Sequence, residues 1–344
     1  MRVLVAYNDD SSLKSGLSEI EMVGEEEVAE SAADVAAQLS QIHDCRLLPV
    51  GASLEDAIRE IQSFAPAAVF NLCEGVLGRT EWESHFALLL EMLDIPFTGC
   101  SSIPLALCID KGLIKRLLLS GGVPTPRGFV FEAGDPQQLR ERSFAELDGP
   151  AFVKPARSDG GIGVDRDSFV RSWPEALERC RSIHQRYGQA ALVEQFIDGR
   201  ELNLAAFMSI DGLTMLPPGE IFFDDSLAAE ERVVGFQAKW DSGSAEDKAT
   251  VSGRAELDFA ALKKVESVCR AASRLIGLDG YARFDVRVNS EGELFIVDVN
   301  PNPDISPGSG FRKSLEAAEL PFSDFLNQLM MTSMRAKSDL AGSR

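Results

Sequence analysis

One stretch near the C-terminal end leaves the chain little freedom: Ala282 to Asn300 reads ARFDVRVNSEGELFIVDVN, two runs of alternating apolar and polar residues around Asn289-Ser290-Glu291-Gly292. Alternation with period two is what a strand with one face on a core requires, and Asn, Ser and Gly between two such runs predict a hairpin. If Asn289 pairs with Gly292, Arg283 stands opposite Asp298 and Asp285 opposite Ile296. Side chains alternate faces, so Arg283, Asp285, Asp298 and Asn300 all project from one face. Three oxygen donors at that density suit a hard cation such as Mg²⁺, which would bridge nucleotide phosphates. Arg283 beside them can stabilise charge developing on a transferring phosphoryl group or a tetrahedral intermediate. The competing reading is a solvated face with an ordinary Arg-Asp cross-strand pair. The apolar surroundings weigh against it, because acids near a core are costly unless something binds them.

The rest of the chain reads as α/β. Apolar runs at Val3 to Tyr7 and Ala67 to Leu72 flank a helical stretch around Glu25 to Leu39, which predicts a parallel α/β unit. Trp82, Phe86, Leu89, Leu90 and Leu93 recur at helical spacing and stop before Ile95-Pro96, where the backbone must extend. A first unit is therefore expected over residues 1–102. A middle unit, 103–196, is predicted from a helix at Pro104 to Leu119 ended by Gly121-Gly122, strands at Gly128 to Phe131, Ala151 to Lys154 and Ala191 to Phe196, and a helix at Trp173 to Tyr187. The last, 197–335, opens with a strand at Leu202 to Ile210. The polar stretch Asp224 to Ser252 then reads as a long exposed loop of the kind that forms lids. A helix at Ala255 to Ile276, the hairpin, and an amphipathic helix at Pro321 to Met334 complete it.

At 344 residues the chain is too long for one ordinary core, in keeping with several units. A formal net charge of -20 disfavours nucleic acid, whose binding needs clustered Lys and Arg. No apolar run of about 18 residues predicts a membrane span, and MRVLVAYNDD reads as a first strand rather than a signal peptide. Six cysteines without a CxxC pair suggest reduced thiols and a cytoplasmic location. Three histidines leave little basis for a multi-histidine metal site.

Other segments carry weaker signals. Lys154 leaves an apolar strand and is followed by Pro155-Ala156-Arg157-Ser158-Asp159-Gly160-Gly161-Ile162-Gly163, where a point charge and closely approaching backbone N–H groups could meet phosphate; a plain tight turn is the alternative. Val193 to Ile197 could offer backbone groups to an adenine edge and a carboxylate a few residues on could accept ribose hydroxyls; the alternative is a buried strand with an exposed turn. Lys111 and Lys239 have apolar or aromatic neighbours, though most lysines are surface cations. No GxxxxGK[ST] phosphate loop occurs.

Taken in order, Asp110-Lys111, Gly122-Val123-Pro124-Thr125-Pro126, Val153-Lys154-Pro155-Ala156-Arg157, Glu194 to Glu201, Ala238-Lys239, Arg283-Phe284-Asp285 and Asp298-Val299-Asn300-Pro301 resemble the ATP-grasp superfamily, and within it the D-alanine-D-alanine ligases. Phe70 to Gly75 and Ile95 to Gly99 are similar to that family's first domain. The resemblance implies three domains, a Rossmann-like first one and ATP held between the central and C-terminal ones. It implies Lys111 and Lys154 on phosphates, Glu194, Ile197 and Val297 around adenine, Glu201 on ribose, and Lys239 closing over the γ-phosphate. Asp285, Asp298 and Asn300 would hold two Mg²⁺ ions, with Mn²⁺ as a substitute, and Arg283 would sit at the reacting carbonyl. Glu74 and Ser309 are the candidate substrate contacts. The implied partners are small carboxylate and amine substrates, chiefly amino acids, and a second copy of the chain in a homodimer. The implied reaction phosphorylates a carboxylate, which an amine then attacks. Departures fall on the amino-acid half. Asn8-Asp9-Asp10-Ser11-Ser12 stands where the family has a Gly-Gly-x-Ser-x-Glu signature, with Glu26 or Glu27 as stand-ins; Gly160-Gly161 replaces two serines, and Trp240 a tyrosine. A ligase for other substrates, or a nucleotide-binding regulator without ligation, are the alternatives.

Overall fold

The computed structural model describes residues 1–9, 19–158, 160–224, 226–228, 232–233, 235 and 250–342, with backbone alone for 19–27 and 336–342. Strand β1 (Arg2–Asn8) lies between β2 (Asp44–Val50) and β3 (Ala68–Asn71) in a three-stranded parallel sheet. Helices α1 (Glu19–Leu39) and α2 (Leu54–Phe64) make the crossovers, and α3 (Glu83–Met92) follows. The pair β2 and α2 had no sequence expectation. Strand β2 keeps most side chains in solvent, so Asp44-Cys45-Arg46-Leu47-Leu48-Pro49-Val50 shows no clean apolar alternation.

The single helix expected over Pro104 to Leu119 is two, α4 (Ser102–Ile109) and α5 (Lys111–Ser120). Asp110 breaks it: its backbone is extended, and its carboxylate accepts the Leu113 N–H at 2.9 Å as an N-cap. The break lets the Lys111 N–H reach the Ala156 carbonyl at 3.0 Å, which ties α5 to a second sheet. That sheet is antiparallel in the order β4 (Gly128–Phe131), β7 (Ala191–Gln195), β5 (Ala151–Pro155), β6 (Phe169–Val170), covered by α6 (Gln137–Ala145) and α7 (Trp173–Tyr187).

The third sheet runs β11 (Thr250–Arg254), β10 (Gly219–Phe223), β8 (Arg200–Ser209), β12 (Tyr281–Val288), β13 (Leu294–Asn300), with β9 (Gly212–Met215) folded back on β8. Helices α8 (Phe259–Ile276), α9 (Gly310–Ala317) and α10 (Phe322–Gly342) complete the chain. The expected loop at Asp224 to Ser252 lies largely outside the described residues.

The apolar clusters do not all follow chain order. The second sheet has its own core, including Phe131, Phe144, Val153, Trp173, Cys180 and Val193. One face of the first sheet, with Val3, Val5 and Phe70, packs instead with Phe207, Tyr281, Phe311, Phe325 and Leu329 from the far end of the chain. Helices α4 and α5 share an apolar cluster with α8 and the third sheet, through Leu105, Cys108, Ile114 and Leu118 with Val265 of α8 and Phe284 and Ile296 of the sheet. Among the described residues no helix is long and apolar enough to cross a membrane.

The hairpin forms in a different register from the one predicted. Its turn closes one residue later, with the Asn289 N–H on the Glu293 carbonyl, and Gly292 takes a left-handed φ of 75° in the loop. A bulge between Asp285 and Val286 then makes a second one-residue shift, in which Val297 is the extra residue. Arg283 therefore stands opposite Asn300, and Asp285 opposite Asp298; Ile296, expected opposite Asp285, pairs with Val286 on the core side.

Candidate active site

Directly opposite residues of an antiparallel pair share a face, so Arg283, Asp285, Asp298 and Asn300 lie together on one side of β12 and β13. Arg283 holds Asp285 in a two-pronged ion pair, Nε to Oδ1 at 2.8 Å and Nη2 to Oδ2 at 3.0 Å. Asn203, on the neighbouring β8, donates to the same Oδ1 at 2.8 Å. Lys111, at the first turn of α5, reaches Asp298 at 2.9 Å and 3.2 Å. Burial works against ionisation of Asp298, but the charges of Lys111, Lys154 and Lys115 and the Lys111 hydrogen bond outweigh it and hold the carboxyl well below its usual range. The Asn300 Oδ1 accepts the Asn302 N–H at 2.9 Å.

Among the described residues no three His, Cys, Asp or Glu side chains gather as a metal cluster. What the face offers is two carboxylates and an amide oxygen. That fits Mg²⁺, which binds through one or two carboxylates plus substrate phosphates rather than in an all-protein cage.

Beside the acids lies a buried charge cluster. Glu194 on β7 is 3% exposed and takes a lysine on each oxygen, Lys115 on Oε2 at 2.7 Å and Lys154 on Oε1 at 3.0 Å. Burial raises its pKa, yet the two ammonium charges and their hydrogen bonds prevail and the net direction is downward. Lys154, leaving β5, also bonds the Val297 carbonyl at 3.3 Å. Lys115, unrecognised in the sequence, bonds that carbonyl at 3.1 Å and the Thr125 hydroxyl at 3.1 Å. The signal was present: Asp110-Lys111-Gly112-Leu113-Ile114-Lys115 puts two lysines four apart, on one helix face.

Further along the third sheet Glu201 on β8 pairs with Arg287 on β12 at 2.6 Å, and Arg287 also donates to the Arg232 carbonyl at 2.7 Å. Ile197 is buried and Val297 half-buried at the bulge. The turn after Lys154 keeps its glycines in left-handed backbone, φ 64°, 79° and 70° at Gly160, Gly161 and Gly163.

The amino-acid candidates lie where the first and third sheets meet. Asn8, at the departure from the family signature, accepts the Glu74 N–H at 3.1 Å, which fixes the backbone of that residue. Asn302 is buried and bridges the two lobes: its amide donates to the Cys73 carbonyl at 3.2 Å and Glu83 at 2.9 Å, and it accepts from the Tyr281 hydroxyl at 2.8 Å. Ser309 caps α9, its hydroxyl accepting the Arg312 N–H at 3.3 Å. Lys239, Trp240 and Asp10 to Ser12 lie outside the described residues, as do the side chains of Glu26 and Glu27.

Lysines and carboxylates brought together from two antiparallel sheets, beside a small parallel sheet, belong to the fold of the ATP-grasp enzymes, which activate a substrate with ATP. Residues 117–331 match the family model for the D-ala D-ala ligase C-terminus. The chain is 30% identical over 267 residues to D-alanine–D-alanine ligase A of Mesorhizobium japonicum, covering 76% of this chain and 70% of that one. To the D-alanine–D-alanine ligase of Gloeobacter violaceus it is 28% identical over 251 residues, 72% of this chain and 76% of that protein. The crystal structure of the Bacillus anthracis D-alanine–D-alanine ligase complexed with ATP superposes with a TM-score of 0.75 over 98% of this chain and 99% of that one, at 20% identity. The chain belongs to the D-alanine-D-alanine ligase family, a family of ATP-dependent ligases that form carbon-nitrogen bonds.

Proposed function

We propose that this chain joins two amino acids, with D-alanine the first candidate for both, into a dipeptide at the expense of ATP. A substrate carboxylate oxygen bonds to the γ-phosphorus while the bond to the β-γ bridging oxygen breaks, giving an acyl phosphate and ADP. The amine nitrogen then bonds to the acyl carbon, phosphate leaves, and the amine gives up a proton. The observation that carries this reading is the shared face of Asp285, Asp298 and Asn300 within reach of Lys111.

In this reading Asp285, Asp298 and Asn300 hold two Mg²⁺ ions, or Mn²⁺ in their place, which neutralise phosphate charge when bound. Lys111 and Lys154 orient the phosphates, and Arg283 stabilises charge at the reacting carbonyl. Glu201 takes the ribose, and Ile197 and Val297 line the adenine pocket. Because both oxygens of Glu194 are occupied by lysines, its contact with adenine is indirect, through Lys154 and the backbone of its strand. Lys239 closes over the γ-phosphate by resemblance alone. Glu74 and Ser309 are the substrate contacts, and the units 1–102, 103–196 and 197–335 are taken as the three domains. The protein works in the cytoplasm on small carboxylates and amines, as a homodimer.

A second reading, a ligase for a different amino-acid pair, is favoured by Asn8-Asp9-Asp10-Ser11-Ser12 in place of the family's Gly-Gly-x-Ser-x-Glu signature; its first residue, Asn8, spends its side-chain oxygen on the Glu74 backbone. Purified protein with Mg-ATP and pooled amino acids, followed by phosphate release and product mass, separates the cases. Dialanine formed only with D-alanine supports the first reading and a different amide the second. Tight ATP binding with no turnover over broad acid and amine panels defeats both, in favour of a nucleotide-binding regulator.

A further inference from the structure

The loop of the hairpin fixes the pairs Val288 with Leu294 and Val286 with Ile296. Carried on without interruption, that register would set Asp285 against Val297 and Phe284 against Asp298. The alternation of faces would then drive Asp298 and Asn300 into the apolar cluster of Phe284 and Val286, and leave Val297 and Val299 in the cleft. The bulge at Val297 inverts this, and so the facing of the acids depends on one irregularity in the ladder.

A bulge leaves backbone groups outside the ladder, and in a buried site they must find other partners. Here the Val297 carbonyl is taken by the ammonium groups of Lys115 and Lys154. The flanking Ile296 is clamped on both sides: its N–H donates to the Pro124 carbonyl at 2.9 Å, and its carbonyl accepts the Thr125 hydroxyl at 2.6 Å. Lys115 also donates to Thr125 and forms an ion pair with Glu194, so its buried ammonium group is surrounded by protein oxygens.

We propose that Lys115 is a positioning residue that locks the Val297 bulge and thereby keeps Asp298 and Asn300 facing the metal. The proposal rests on the reading of these residues as metal ligands given above. Lys111 differs in spending its ammonium on Asp298, whereas Lys154 shares the Val297 carbonyl and Glu194 with Lys115. Lys115 sits one turn inside the cleft wall, 7% exposed along its side chain, and acts through the backbone of β13.

The test compares wild type, Lys115→Met and the double variant Lys115→Met with Glu194→Gln, measuring Mn²⁺ affinity by the electron paramagnetic resonance of free Mn²⁺ in the presence of a non-hydrolysable ATP analogue. Thermal unfolding without metal is followed in parallel. If Lys115 only balances the charge of Glu194, the double variant regains both stability and Mn²⁺ affinity. If it locks the bulge, the double variant regains stability while Mn²⁺ binding stays weakened about tenfold or more. Should Lys115→Met fail to fold, Thr125→Val removes the hydroxyl shared by Lys115 and the Ile296 carbonyl, with a weakening of several-fold expected. Wild-type Mn²⁺ affinity in Lys115→Met, in the double variant or in Thr125→Val overturns the proposal. A wild type that binds no Mn²⁺ with the analogue overturns the metal-site reading itself, and the proposal with it.

Discussion

Replacing Glu194 by Gln keeps the shape of the side chain and removes one charge from a cluster of three. The two N···O separations, 2.7 Å to Lys115 and 3.0 Å to Lys154, correspond to about 6 kcal/mol of attraction each at an effective dielectric of ~20. Most of that is offset by the desolvation of the carboxylate and by repulsion between the lysines. What the substitution exposes is the cost of two buried ammonium ions that lose their shared counter-charge, and breaking a buried pair this way costs ~3–5 kcal/mol. Gln still accepts one hydrogen bond, which puts the expected loss near ~3 kcal/mol at pH 7. Urea unfolding followed by tryptophan fluorescence suits the measurement, because Trp173 belongs to the same apolar core as the Val193 that precedes Glu194. The pH dependence gives a second check. The folded pKa of Glu194 is depressed, so its contribution is fully present above the unfolded value of ~4.3 and is lost as pH falls through the folded value. The gap between wild type and variant should therefore be constant from pH 7 to about 5 and narrow below that. A loss under ~1 kcal/mol, or a gap that widens in acid, would refute the buried-cluster argument.

Asp298→Ala should abolish ATP-dependent phosphate release while the far-ultraviolet circular dichroism stays that of the folded chain; retained turnover contradicts its metal role. Burial pushes the thiols of Cys100 and Cys180 up to about 12, and Cys45 alone among the six is not buried. At pH 8 Ellman's reagent should therefore modify no more than one thiol in the native protein and all six in denaturant, and two or more fast native thiols would contradict the packing. Gly280→Ala would set a methyl group 2.1 Å from the Gly99 carbonyl carbon and 2.4 Å from the Cys100 nitrogen. Backbone on both sides cannot yield, so a loss of about 3 kcal/mol or more is expected in urea unfolding, and a neutral result would mean that the lobes part easily there.

The hairpin was legible from composition and period, and its register was not. The turn closes one residue later than Asn289-Gly292 pairing would have it, which alone would have turned Asp298 and Asn300 inward. The bulge shifts the ladder by one more residue and turns them out again. Two offsets cancelled, and the inference of a shared face survived for a reason that no alternation pattern carries. Lys115 went unread for a related cause. A lysine in an amphipathic helix looks like a surface cation until the structure supplies the Glu194 and Val297 carbonyl that accept from it, and both come from distant segments. Asp110 is the reverse case: an Asp before a new apolar run is a recognisable cap, and the apolar periodicity running through it concealed the break.

The packing of Val3, Val5 and Phe70 against Phe325, Leu326 and Leu329 has a consequence for how the chain acquires its structure. Helix α1 covers part of that face of the first sheet early through Ala32, Val35 and Leu39, but the cover is completed only when segments made more than two hundred and fifty residues later have emerged. Until then the uncovered part of that surface is open to holdase chaperones, whereas the middle sheet, whose apolar partners are all near neighbours along the chain, can consolidate early. Ribosome-bound chains halted before α10 should on this account show a protease-resistant middle segment and a sensitive N-terminal one.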